Sequence, residues 1–352
     1  MLPAEQFWRG KRVLLTGHTG FKGAWLALWL QRLGAQVTGL ALAPATTPNL
    51  FTLAGVAARL QHHVCDVRDA PGVEALVQRC RPQVVLHLAA QALVRPSYEQ
   101  PLETFATNVM GTANLLDALR RAQDLRSVVV VTTDKVYQSR QPPHAFGEDN
   151  ALGGTDPYSA SKAAAEMVVA SYRSAYFLGS GVGVASARAG NVIGGGDWSQ
   201  DRLLPDAARA WGSGRALTVR RPAATRPWQH VLEPLGGYLR LAQRLWDDSS
   251  AAGAFNFGPD ALDAASVRDV VELARAAYGG AEVIYSDGET GPHEAAWLAL
   301  DNRKAREVLG IVPRWTLAES VQRSMLWYRR LHQGADAASM CQAELSDYGV
   351  AA

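Results

Sequence analysis

The sequence predicts a doubly wound α/β fold, a parallel sheet of Rossmann type joined to a smaller C-terminal region. Three observations predict it. Short apolar runs alternate with helical patterns through the first half of the chain, a turn with three glycines separates the first run from the first helix, and the pattern changes after Ala189. Strands that alternate with helices favour a parallel sheet with crossover helices on its faces.

Six apolar runs are the candidate strands. Each is apolar at nearly every residue, as expected for a strand that is buried on both faces of a sheet. The segments between them repeat their apolar residues with a helical period. The predicted strands are residues 12–16, 36–42, 61–65, 84–88, 128–132 and 182–187, and the predicted helices are residues 21–33, 71–80, 101–122 and 157–177.

Beyond Ala189 the chain has three consecutive glycines, loops rich in Pro and Arg, and short helical patterns at residues 203–211, 234–247 and 266–277. Such a region can pack over the carboxyl ends of the strands, where ligands of doubly wound folds bind. We therefore expect a Rossmann domain over residues 1–189, a mainly substrate-binding region over residues 190–335 that is partly interleaved with it, and a weakly patterned tail over residues 336–352. This tail is either mobile or an arm that packs on the rest of the protein.

The composition argues against several functions. Lys and Arg number 35 against 33 Asp and Glu, and no basic patch is interleaved with aromatic residues, so nucleic acid is not an expected partner. The three cysteines lie far apart without metal-ligand spacing, which favours a reducing cytoplasm and no metal site. The N-terminus does not resemble a secretion signal, and the most apolar helical pattern is too short to cross a bilayer. We expect a cytoplasmic protein with no membrane partner.

The segment Thr16-Gly-His-Thr-Gly-Phe-Lys-Gly23 follows the first strand and opens the first helix. Its glycines allow the backbone to approach a pyrophosphate, and the N-terminus of the helix attracts that anion. A purely structural loop is the alternative, but it leaves three closely spaced glycines unexplained. We therefore expect a bound NAD, with the candidate contacts Gly17, His18, Thr19, Gly20, Phe21 and Gly23.

The end of the second strand lacks the acid that usually holds the adenosine ribose of NAD. Residues 39–43 read Gly-Leu-Ala-Leu-Ala, and no arginine follows at once to receive a 2′-phosphate. NADP is therefore not favoured either. We expect NAD to be held more loosely than in proteins that carry the acid.

The next two strands end in residues that suit a nearby cofactor. Asp66 can accept a hydrogen bond from the adenine amine or can cap the following helix, and small residues after the fourth strand let the chain pass beneath a cofactor. Asn108 can reach the ribose or can only fix its own helix. The additional candidate contacts are Asp66, Val67, Leu88, Ala89, Ala90 and Asn108.

Two fragments carry the candidate chemistry. Tyr158 and Lys162 lie on one helix face, where the ammonium can lower the phenol pKa toward neutrality and the phenolate can take a hydroxyl proton while a hydride leaves the same carbon. Both are also expected to contact NAD. Thr133, at the end of the fifth strand, can bind the same hydroxyl. Asp134 and Lys135 add a possible general acid and general base, unless they form only a surface salt bridge.

Longer motifs point to a family. The Thr-Gly-x-x-Gly-x-x-Gly turn, the His-Leu-Ala-Ala end of the fourth strand and Tyr-x-x-x-Lys resemble the extended short-chain dehydrogenase/reductase superfamily over about residues 12–327. Within it, Thr133-Asp134-Lys135 resembles the nucleotide-sugar 4,6-dehydratases, many of which carry Asp-Glu instead. With Gly-Asn-Val-Ile-Gly-Gly-Gly-Asp-Trp at residues 190–198, the Asp-Lys pair resembles the CDP-glucose branch of that family.

The resemblance implies a lyase that converts CDP-D-glucose to CDP-4-keto-6-deoxy-D-glucose on one bound NAD. Tyr158, assisted by Lys162 and Thr133, would take the C4 hydroxyl proton as a hydride leaves C4. Lys135 would then remove the C5 proton while Asp134 protonates the departing C6 hydroxyl, and the hydride would return to C6.

The resemblance also implies a set of substrate contacts. Arg202 and Arg226 are similar to substrate-binding arginines, and a guanidinium can bind a diphosphate bidentately. Ordinary surface charge is the alternative for both. No residue by itself identifies the nucleobase of the substrate. The candidate substrate contacts are Gln91, Asn191, Arg202, Leu203, Arg226, Asn256 and His293.

Other functions fit parts of the same set of residues. A nucleotide-sugar 4-epimerase or reductase would keep Tyr158 and Lys162 without needing Asp134 and Lys135, and a dehydratase for a different nucleotide hexose would keep all four. A non-catalytic NAD-binding protein is a third class, since the fold alone does not imply catalysis. The resemblance also implies a homodimer or homotetramer that pairs through the helices at residues 101–122 and 157–177.

Overall fold

The structure, a computed structural model, describes residues 2–138, 144–260, 263–286 and 298–350. Its strands in chain order are β1 (Arg12–Thr16), β2 (Gln36–Ala41), β3 (Gln61–Val64), β4 (Val84–His87), β5 (Ser127–Val131), β6 (Gly183–Ala189), β7 (Val192–Ile193), β8 (Leu217–Val219), β9 (Thr225–Arg226), β10 (Gln229–His230), β11 (Gly253–Phe257), β12 (Ala265–Ser266) and β13 (Val283–Tyr285).

The α-helices in chain order are α1 (Glu5–Trp8), α2 (Phe21–Arg32), α3 (Leu50–Leu53), α4 (Ala70–Cys80), α5 (Val94–Glu99), α6 (Pro101–Phe105), α7 (Gly111–Leu119), α8 (Pro157–Tyr172), α9 (Leu203–Gly212), α10 (Leu232–Asp247), α11 (Val267–Tyr278), α12 (Arg303–Leu309), α13 (Leu317–His332) and α14 (Ala337–Asp347). Short 3₁₀ turns cover Val56–Arg59, Asp134–Val136 and Ser249–Ala251, and π-helical turns cover Ala106–Met110 and Arg173–Phe177.

Seven parallel strands form the central sheet in the order β11-β6-β5-β4-β1-β2-β3. The chain runs outward from β1 to β3 and then returns to place β4 on the other side of β1. This reversal leaves a crevice at the carboxyl ends of β1 and β4, the position where doubly wound folds bind their ligands. The predicted fold class is confirmed.

The sheet is covered on both faces, because successive side chains of a strand point to opposite sides. In β1, Val13 and Leu15 pack in the core cluster that includes α2, α10 and α13, whereas Leu14 packs in the cluster that includes α4, α7 and α8. β5 divides in the same way, with Val129 on one face and Val128 on the other. These continuous apolar runs explain why both faces need helices.

The predicted strands and helices of the first half correspond closely to the observed ones. The predicted helix at residues 101–122 is divided into α6, a π-helical turn and α7, and the helix at residues 157–177 ends in a π-helical turn. The sequence analysis did not predict β11, which adds the seventh strand to the sheet beside β6. Among the described residues, none of the helices has the length and apolar character that a membrane span requires.

The segment that the sequence predicts as a tail contains α14, which packs against the Rossmann sheet's own helix α2. Arg32, the last residue of α2, donates hydrogen bonds to the carbonyl oxygens of Gln342 (3.0 Å) and Val350 (2.9 Å) and to Ser346 Oγ (2.9 Å). Cys341 and Leu345 of α14 are fully buried. The C-terminal residues up to 350 are therefore part of the core.

Candidate active site

A cavity of about 680 Å³ lies along the carboxyl ends of the central strands. It brings together three parts of the chain that are distant in sequence: the turn after β1, the ends of β4 and β5 with α8, and the arginine-rich segment after β6. The predicted site residues that line it are Gly17, Thr19, Gly20, Phe21, Gly23, Asp66, Val67, Leu88, Ala89, Ala90, Thr133, Asp134, Lys135, Tyr158, Lys162, Asn191, Arg202, Leu203 and Arg226.

The glycines of the turn let its backbone pack closely against the end of β4 and against itself. Gly17 has φ +76°, and a Cβ atom built on it would lie 2.6 Å from the backbone nitrogen of Ala89. A Cβ atom on Gly23 would lie 2.1 Å from the carbonyl oxygen of Gly17. The turn leads directly into the N-terminus of α2, whose free amide groups attract an anion. These residues fit the pyrophosphate of a dinucleotide such as NAD.

His18 belongs to this turn, but its ring points away from the cavity. The ring lies against Gly39 of β2, and His18 Nε2 is 2.7 Å from His62 Nδ1. Burial, with a smaller contribution from His62, lowers the pKa of His18 to about 4. The imidazole is thus a neutral packing group, and any contact of His18 with a cofactor would come from its backbone.

The adenosine end of the cavity is mostly apolar. Ala41, Leu42 and Ala43 line it at the end of β2 without a carboxylate, and Thr19 Oγ1 donates a hydrogen bond to the carbonyl oxygen of Leu42 (2.9 Å). Asp66 lines the cavity as well, but Arg68 already holds its carboxylate, with NH2 to Oδ2 at 2.6 Å. That hydrogen bond lowers the pKa of Asp66, so it stays ionised.

The side chains of two predicted ligand contacts, Gln91 and Asn108, form hydrogen bonds to other residues of the protein. Asn108 Oδ1 accepts a hydrogen bond from the Gln91 backbone amide (2.9 Å), and Nδ2 donates to the Gln91 carbonyl (3.0 Å) and to Ser161 Oγ (2.8 Å). The Gln91 side chain binds the backbone of Leu93 and the hydroxyl of Thr104. Neither side chain lines the cavity; they fix the loop after β4 against α8.

The Asp134–Val136 turn places the candidate acid and base at the end of β5. Thr133 Oγ1 donates to Asp134 Oδ1 (2.9 Å) and accepts from the Lys135 backbone amide (3.4 Å). Asp134 is buried, and its Oδ2 has no hydrogen-bond partner among the described residues. Burial raises the pKa of Asp134, against the opposing charge of Lys135. A protonated carboxyl group is what a general acid requires.

Gly190 makes room for that acid. A Cβ atom built on Gly190 would lie 1.8 Å from Asp134 Oδ2, so any side chain at this position would force the carboxyl group to move. Gly190 begins the segment that leads from β6 to β7 along the cavity wall. Because residue 190 has no side chain, the Asp134 carboxyl group can occupy this space.

Tyr158 and Lys162 lie on successive turns of α8, whose N-terminus Asp156 caps by accepting a hydrogen bond from the Ser159 amide (2.9 Å). Lys162 Nζ donates to the carbonyl oxygen of Val131 at the end of β5 (3.3 Å). Burial lowers the pKa of Lys162 to about 8, and the carboxylate of Glu166 opposes this shift. Tyr158 and Lys162 therefore both lie near the carboxyl end of β5.

The Tyr158 hydroxyl differs from the expectation for this pair. Burial raises the pKa of Tyr158 to about 12, and a hydrogen bond with Thr133 is the largest influence in the other direction. The expected shift toward neutrality is not seen, because desolvation of the phenolate is stronger than the stabilisation that its protein neighbours provide. Proton removal by Tyr158 therefore depends on groups that favour the phenolate, Thr133 first among them.

Lys22 is a cavity residue that the sequence analysis passed over. Burial, followed by the charges of Arg202 and Lys162, lowers the pKa of Lys22 to about 7, while Asp134 and Asp197 oppose this shift. Its ammonium lies 5.8 Å from the centre of the Tyr238 ring. The composition could have pointed to Lys22, because lysine is rare in this chain, with five lysines against thirty arginines. Three of those lysines, Lys22, Lys135 and Lys162, line this one cavity.

The far end of the cavity carries the arginines. Arg202 NH1 lies 3.7 Å from Asp197 Oδ2, and Arg226 is buried with NH1 donating to the carbonyl oxygen of Thr225 (2.9 Å). The sequence analysis did not predict Arg95 and Arg220, which line the same end and are both paired to Asp201, at 3.4 and 2.9 Å. The resulting positive wall suits a nucleoside diphosphate.

Asn256 does not reach the cavity. Its Oδ1 accepts a hydrogen bond from Tyr137 Oη (2.6 Å), and its Nδ2 donates to the carbonyl oxygens of Phe146 (2.8 Å) and Asp301 (3.2 Å). It joins β11 to the segments that follow the Asp134–Val136 turn. His293, the remaining candidate, lies outside the described residues. Within the described residues, no three His, Cys, Asp or Glu side chains are grouped to hold a metal ion.

Known proteins resemble this chain in sequence and in fold. Over 98% of both chains it is 44% identical to CDP-glucose 4,6-dehydratase of Salmonella typhimurium. A solved structure of MoeE5 in complex with UDP-glucose and NAD is 25% identical, with a TM-score of 0.76 over 92% of this chain and 99% of that one. The dTDP-glucose 4,6-dehydratase of Bacillus anthracis in complex with NAD, 21% identical, shares the fold with a TM-score of 0.76 over 91% and 97% of the two chains.

Residues 14–324 match the protein family described as GDP-mannose 4,6 dehydratase. This match spans the glycine turn, the Thr133–Lys135 segment, the Tyr158–Lys162 pair and the arginine-rich segment. The resemblance to nucleotide-sugar dehydratases that the motifs indicated is confirmed, and the chain belongs to the GDP-mannose 4,6 dehydratase family.

Proposed function

We propose that this protein is an NAD-dependent lyase that converts CDP-D-glucose to CDP-4-keto-6-deoxy-D-glucose. One observation carries the proposal: Thr133, Asp134 and Lys135 line the same cavity as Tyr158 and Lys162. An oxidation needs only the tyrosine and lysine, whereas an elimination also needs an acid and a base. The 44% identity to a CDP-glucose 4,6-dehydratase over nearly the whole chain supports both the reaction and cytosine as the nucleobase of the substrate.

The first step is the removal of a proton from the C4 hydroxyl. Tyr158 accepts this proton, and the Thr133 hydroxyl stabilises the phenolate by donating to it the single hydrogen bond that it otherwise gives to Asp134 Oδ1. Lys162, one turn further along α8, contributes a positive charge. Gly17, Gly20 and Gly23 would hold the pyrophosphate of NAD, which when bound would supply the reversible hydride acceptor for C4.

The second step is the loss of water between C5 and C6. The C4 ketone acidifies the C5 hydrogen, Lys135 removes it as a proton, and Asp134 gives its proton to the departing C6 hydroxyl. Burial raises the pKa of Asp134, which favours the protonated form that can give this proton. Lys135 lies next to Asp134 on the same turn, so base and acid can act on adjacent carbons. Return of the hydride to C6 and of a proton to C5 completes the product.

The nucleotide is proposed to lie toward the arginine-rich end of the cavity. Arg202 and Arg226, which line the cavity, would bind the diphosphate, with Asn191 and Leu203 beside it. This arrangement supports the division into an NAD-binding domain over residues 1–189 and a mainly substrate-binding region over residues 190–335. Gln91 and Asn256 would act indirectly, by fixing loops around the cavity.

Incubation with CDP-, dTDP-, UDP- and GDP-hexoses in the presence of NAD tests the proposal. With CDP-glucose we expect the absorbance that a 4-keto-sugar develops in alkali. We also expect a product that is lighter by one water and has a methyl group at C6. Inversion at C4 without loss of water would establish an epimerase instead. If a keto-sugar forms only from a hexose linked to another nucleotide, the proposed reaction stands and the proposed nucleobase, cytosine, is wrong.

We also propose a cytoplasmic homodimer or homotetramer. The helices at residues 101–119 and 157–172 expose large apolar side chains, among them Leu102 (84% exposed), Met110 (56%) and Met167 (59%). Monomers rarely leave such side chains grouped in contact with water. Light scattering should give at least a dimer at micromolar concentration, and a monomer would contradict the proposal.

A further inference from the structure

A buried ion pair lies directly behind the reacting groups. Glu166 follows Lys162 by one turn of α8, and both of its carboxylate oxygens are occupied. Oε1 accepts hydrogen bonds from Thr132 Oγ1 (2.5 Å) and Arg188 Nε (3.0 Å), and Oε2 accepts from Ser186 Oγ (2.6 Å) and Arg188 NH2 (2.9 Å). Burial alone would raise the pKa of Glu166, but the hydrogen bonds and the charge of Arg188 lower it. Glu166 is therefore ionised.

The pair connects α8 to the strand ends on either side of it. Thr132 directly precedes Thr133, so Glu166 holds the residue at which β5 leads into the Asp134–Val136 turn. Arg188 of β6 extends the connection: its NH1 donates to Tyr137 Oη (2.8 Å) and to the carbonyl oxygen of Glu148 (3.0 Å). Both ends of the segment that carries the acid and base are thereby fixed to α8.

Lys162 needs a counter-charge if it is to act as an ammonium. Its Nζ donates to one carbonyl oxygen, that of Val131, and it is buried. An isolated buried ammonium loses its proton, because the low dielectric disfavours the charged form. Glu166 is the charge that opposes this loss. Neither Glu166 nor Arg188 lines the cavity, so neither can touch the substrate directly.

We propose, on the basis of the proposed function, that Glu166 is a positioning residue that keeps Lys162 in its ammonium form. Through Arg188 and Thr132 it also holds the Thr133–Lys135 segment in register with α8. The ammonium of Lys162 then stabilises the phenolate of Tyr158 during proton removal. Loss of the Glu166 charge acts on the oxidation step first, because Lys162 serves that step.

Nuclear magnetic resonance of lysine-labelled protein tests the electrostatic part without any substrate. The chain contains only five lysines, so five side-chain signals are expected, and a Lys162→Arg variant identifies the signal of Lys162. In Glu166→Gln the titration midpoint of Lys162 should fall by about one pH unit or more, as expected when a neighbouring opposite charge is removed. An unchanged midpoint would overturn the proposal.

Two further variants separate charge from structure. Ser186→Ala removes one hydrogen bond to Glu166 but leaves the carboxylate charged, so the Lys162 midpoint should stay at the parent value. Glu166→Asp keeps the charge and should restore most of the midpoint that Glu166→Gln loses. A fall as large in Ser186→Ala as in Glu166→Gln would assign the effect to disrupted packing and would contradict the proposal. If Glu166→Gln does not fold, the parent protein still decides: a Lys162 midpoint below about 6, typical of an uncompensated buried lysine, would refute it.

The activity of the same variants shows whether this charge matters to the reaction. Formation of the 4-keto-sugar should decline at high pH as Lys162 loses its proton, and in Glu166→Gln this decline should begin about one pH unit lower. At pH 8, where about half of the parent Lys162 is protonated, kcat should fall about fivefold, with KM for the nucleotide sugar nearly unchanged. A midpoint shift without any dehydratase product would support the role of Glu166 and refute the proposed function, so the two failures are distinguishable.

Discussion

The two ends of the cavity are built differently. At the reacting end, Lys162, Glu166 and Arg188 are buried and fixed by hydrogen bonds to neighbouring strands. At the adenosine end, the wall after β2 is apolar, and the nearby carboxylate of Asp66 is already held by Arg68. The comparison indicates that the chain fixes the positions of its reacting groups more tightly than it holds the cofactor. Four changes test this difference, from the largest expected effect to the smallest.

Replacing the acid and the base should have the largest effect. Asp134→Asn and Lys135→Ala should each slow product formation by about 10²–10⁴-fold, the usual contribution of general acid–base catalysis. Lys135→Ala should slow elimination more than C4 oxidation, because its role begins after the ketone forms. Loss of deuterium from C5 of labelled substrate measures this step. If deuterium washes out as fast in Lys135→Ala as in the parent, Lys135 is not the base.

Filling the glycine turn should weaken cofactor binding next. In Gly17→Ala the new methyl group would meet the backbone of Ala89 at 2.6 Å, so NAD affinity should fall by about tenfold or more, which is about 1.4 kcal/mol. Gly10→Ala is the matched control: Gly10 also has positive φ (+73°), but nothing lies within 4 Å of the added Cβ. The control should lose about 1 kcal/mol of unfolding free energy and keep its affinity for NAD. Calorimetric titration gives both affinities, and equal losses would contradict the prediction.

Removing the space beside the acid should have an intermediate effect. Gly190→Ala would displace the Asp134 carboxyl group and should lower kcat by about tenfold, with C4 oxidation less affected than elimination. Gly147→Ala serves as control, since no heavy atom lies within 4 Å of a Cβ built there. A Gly190→Ala variant with parent kcat would show that the Asp134 position is not critical.

Adding an acid at the adenosine end should have the smallest effect. Leu42, which is 53% exposed and lines the cavity, follows the end of β2. Leu42→Asp should raise NAD affinity by several-fold, about 1 kcal/mol, if its carboxylate accepts hydrogen bonds from the ribose. The parent should bind NAD more weakly than nanomolar. A nanomolar dissociation constant for the parent, measured by calorimetry on cofactor-free protein, would remove the contrast between the two ends.

Much of the fold could be predicted from the sequence because its signals are local. Apolar runs such as 127–131, the glycine turn and the Pro157 start of α8 each determine structure within a few residues. β11 was missed, since Gly253–Phe257 pairs with β6 across more than sixty residues and only two of its residues are strongly apolar. α14 was missed because its helical period is weak and its burial depends on contacts with α2.

The places of the proposed reacting residues in the fold were predictable for the same reason, and their environment was not. Tyr158 and Lys162 lie four residues apart, but the raised pKa of Tyr158 results from burial that depends on the whole fold. The side-chain direction of His18 could not be read from its place in the turn, because it is set by the space above Gly39 of a different strand. Glu166 carried no recognisable motif, and its partner Arg188 lies on a separate strand.

The seventh strand has a consequence for how this protein can be made. β11 pairs with β6 over the whole length of β11, from Gly253 opposite Ala185 to Phe257 opposite Ala189. A ribosome must therefore synthesise more than two thirds of the chain before the sheet can be completed. A fragment that stops near residue 189 would leave β6, a strand that is fully buried in the whole chain, as an open edge, and such edges recruit other chains. The NAD-binding half is for this reason not a detachable module, and isolating it should yield aggregates.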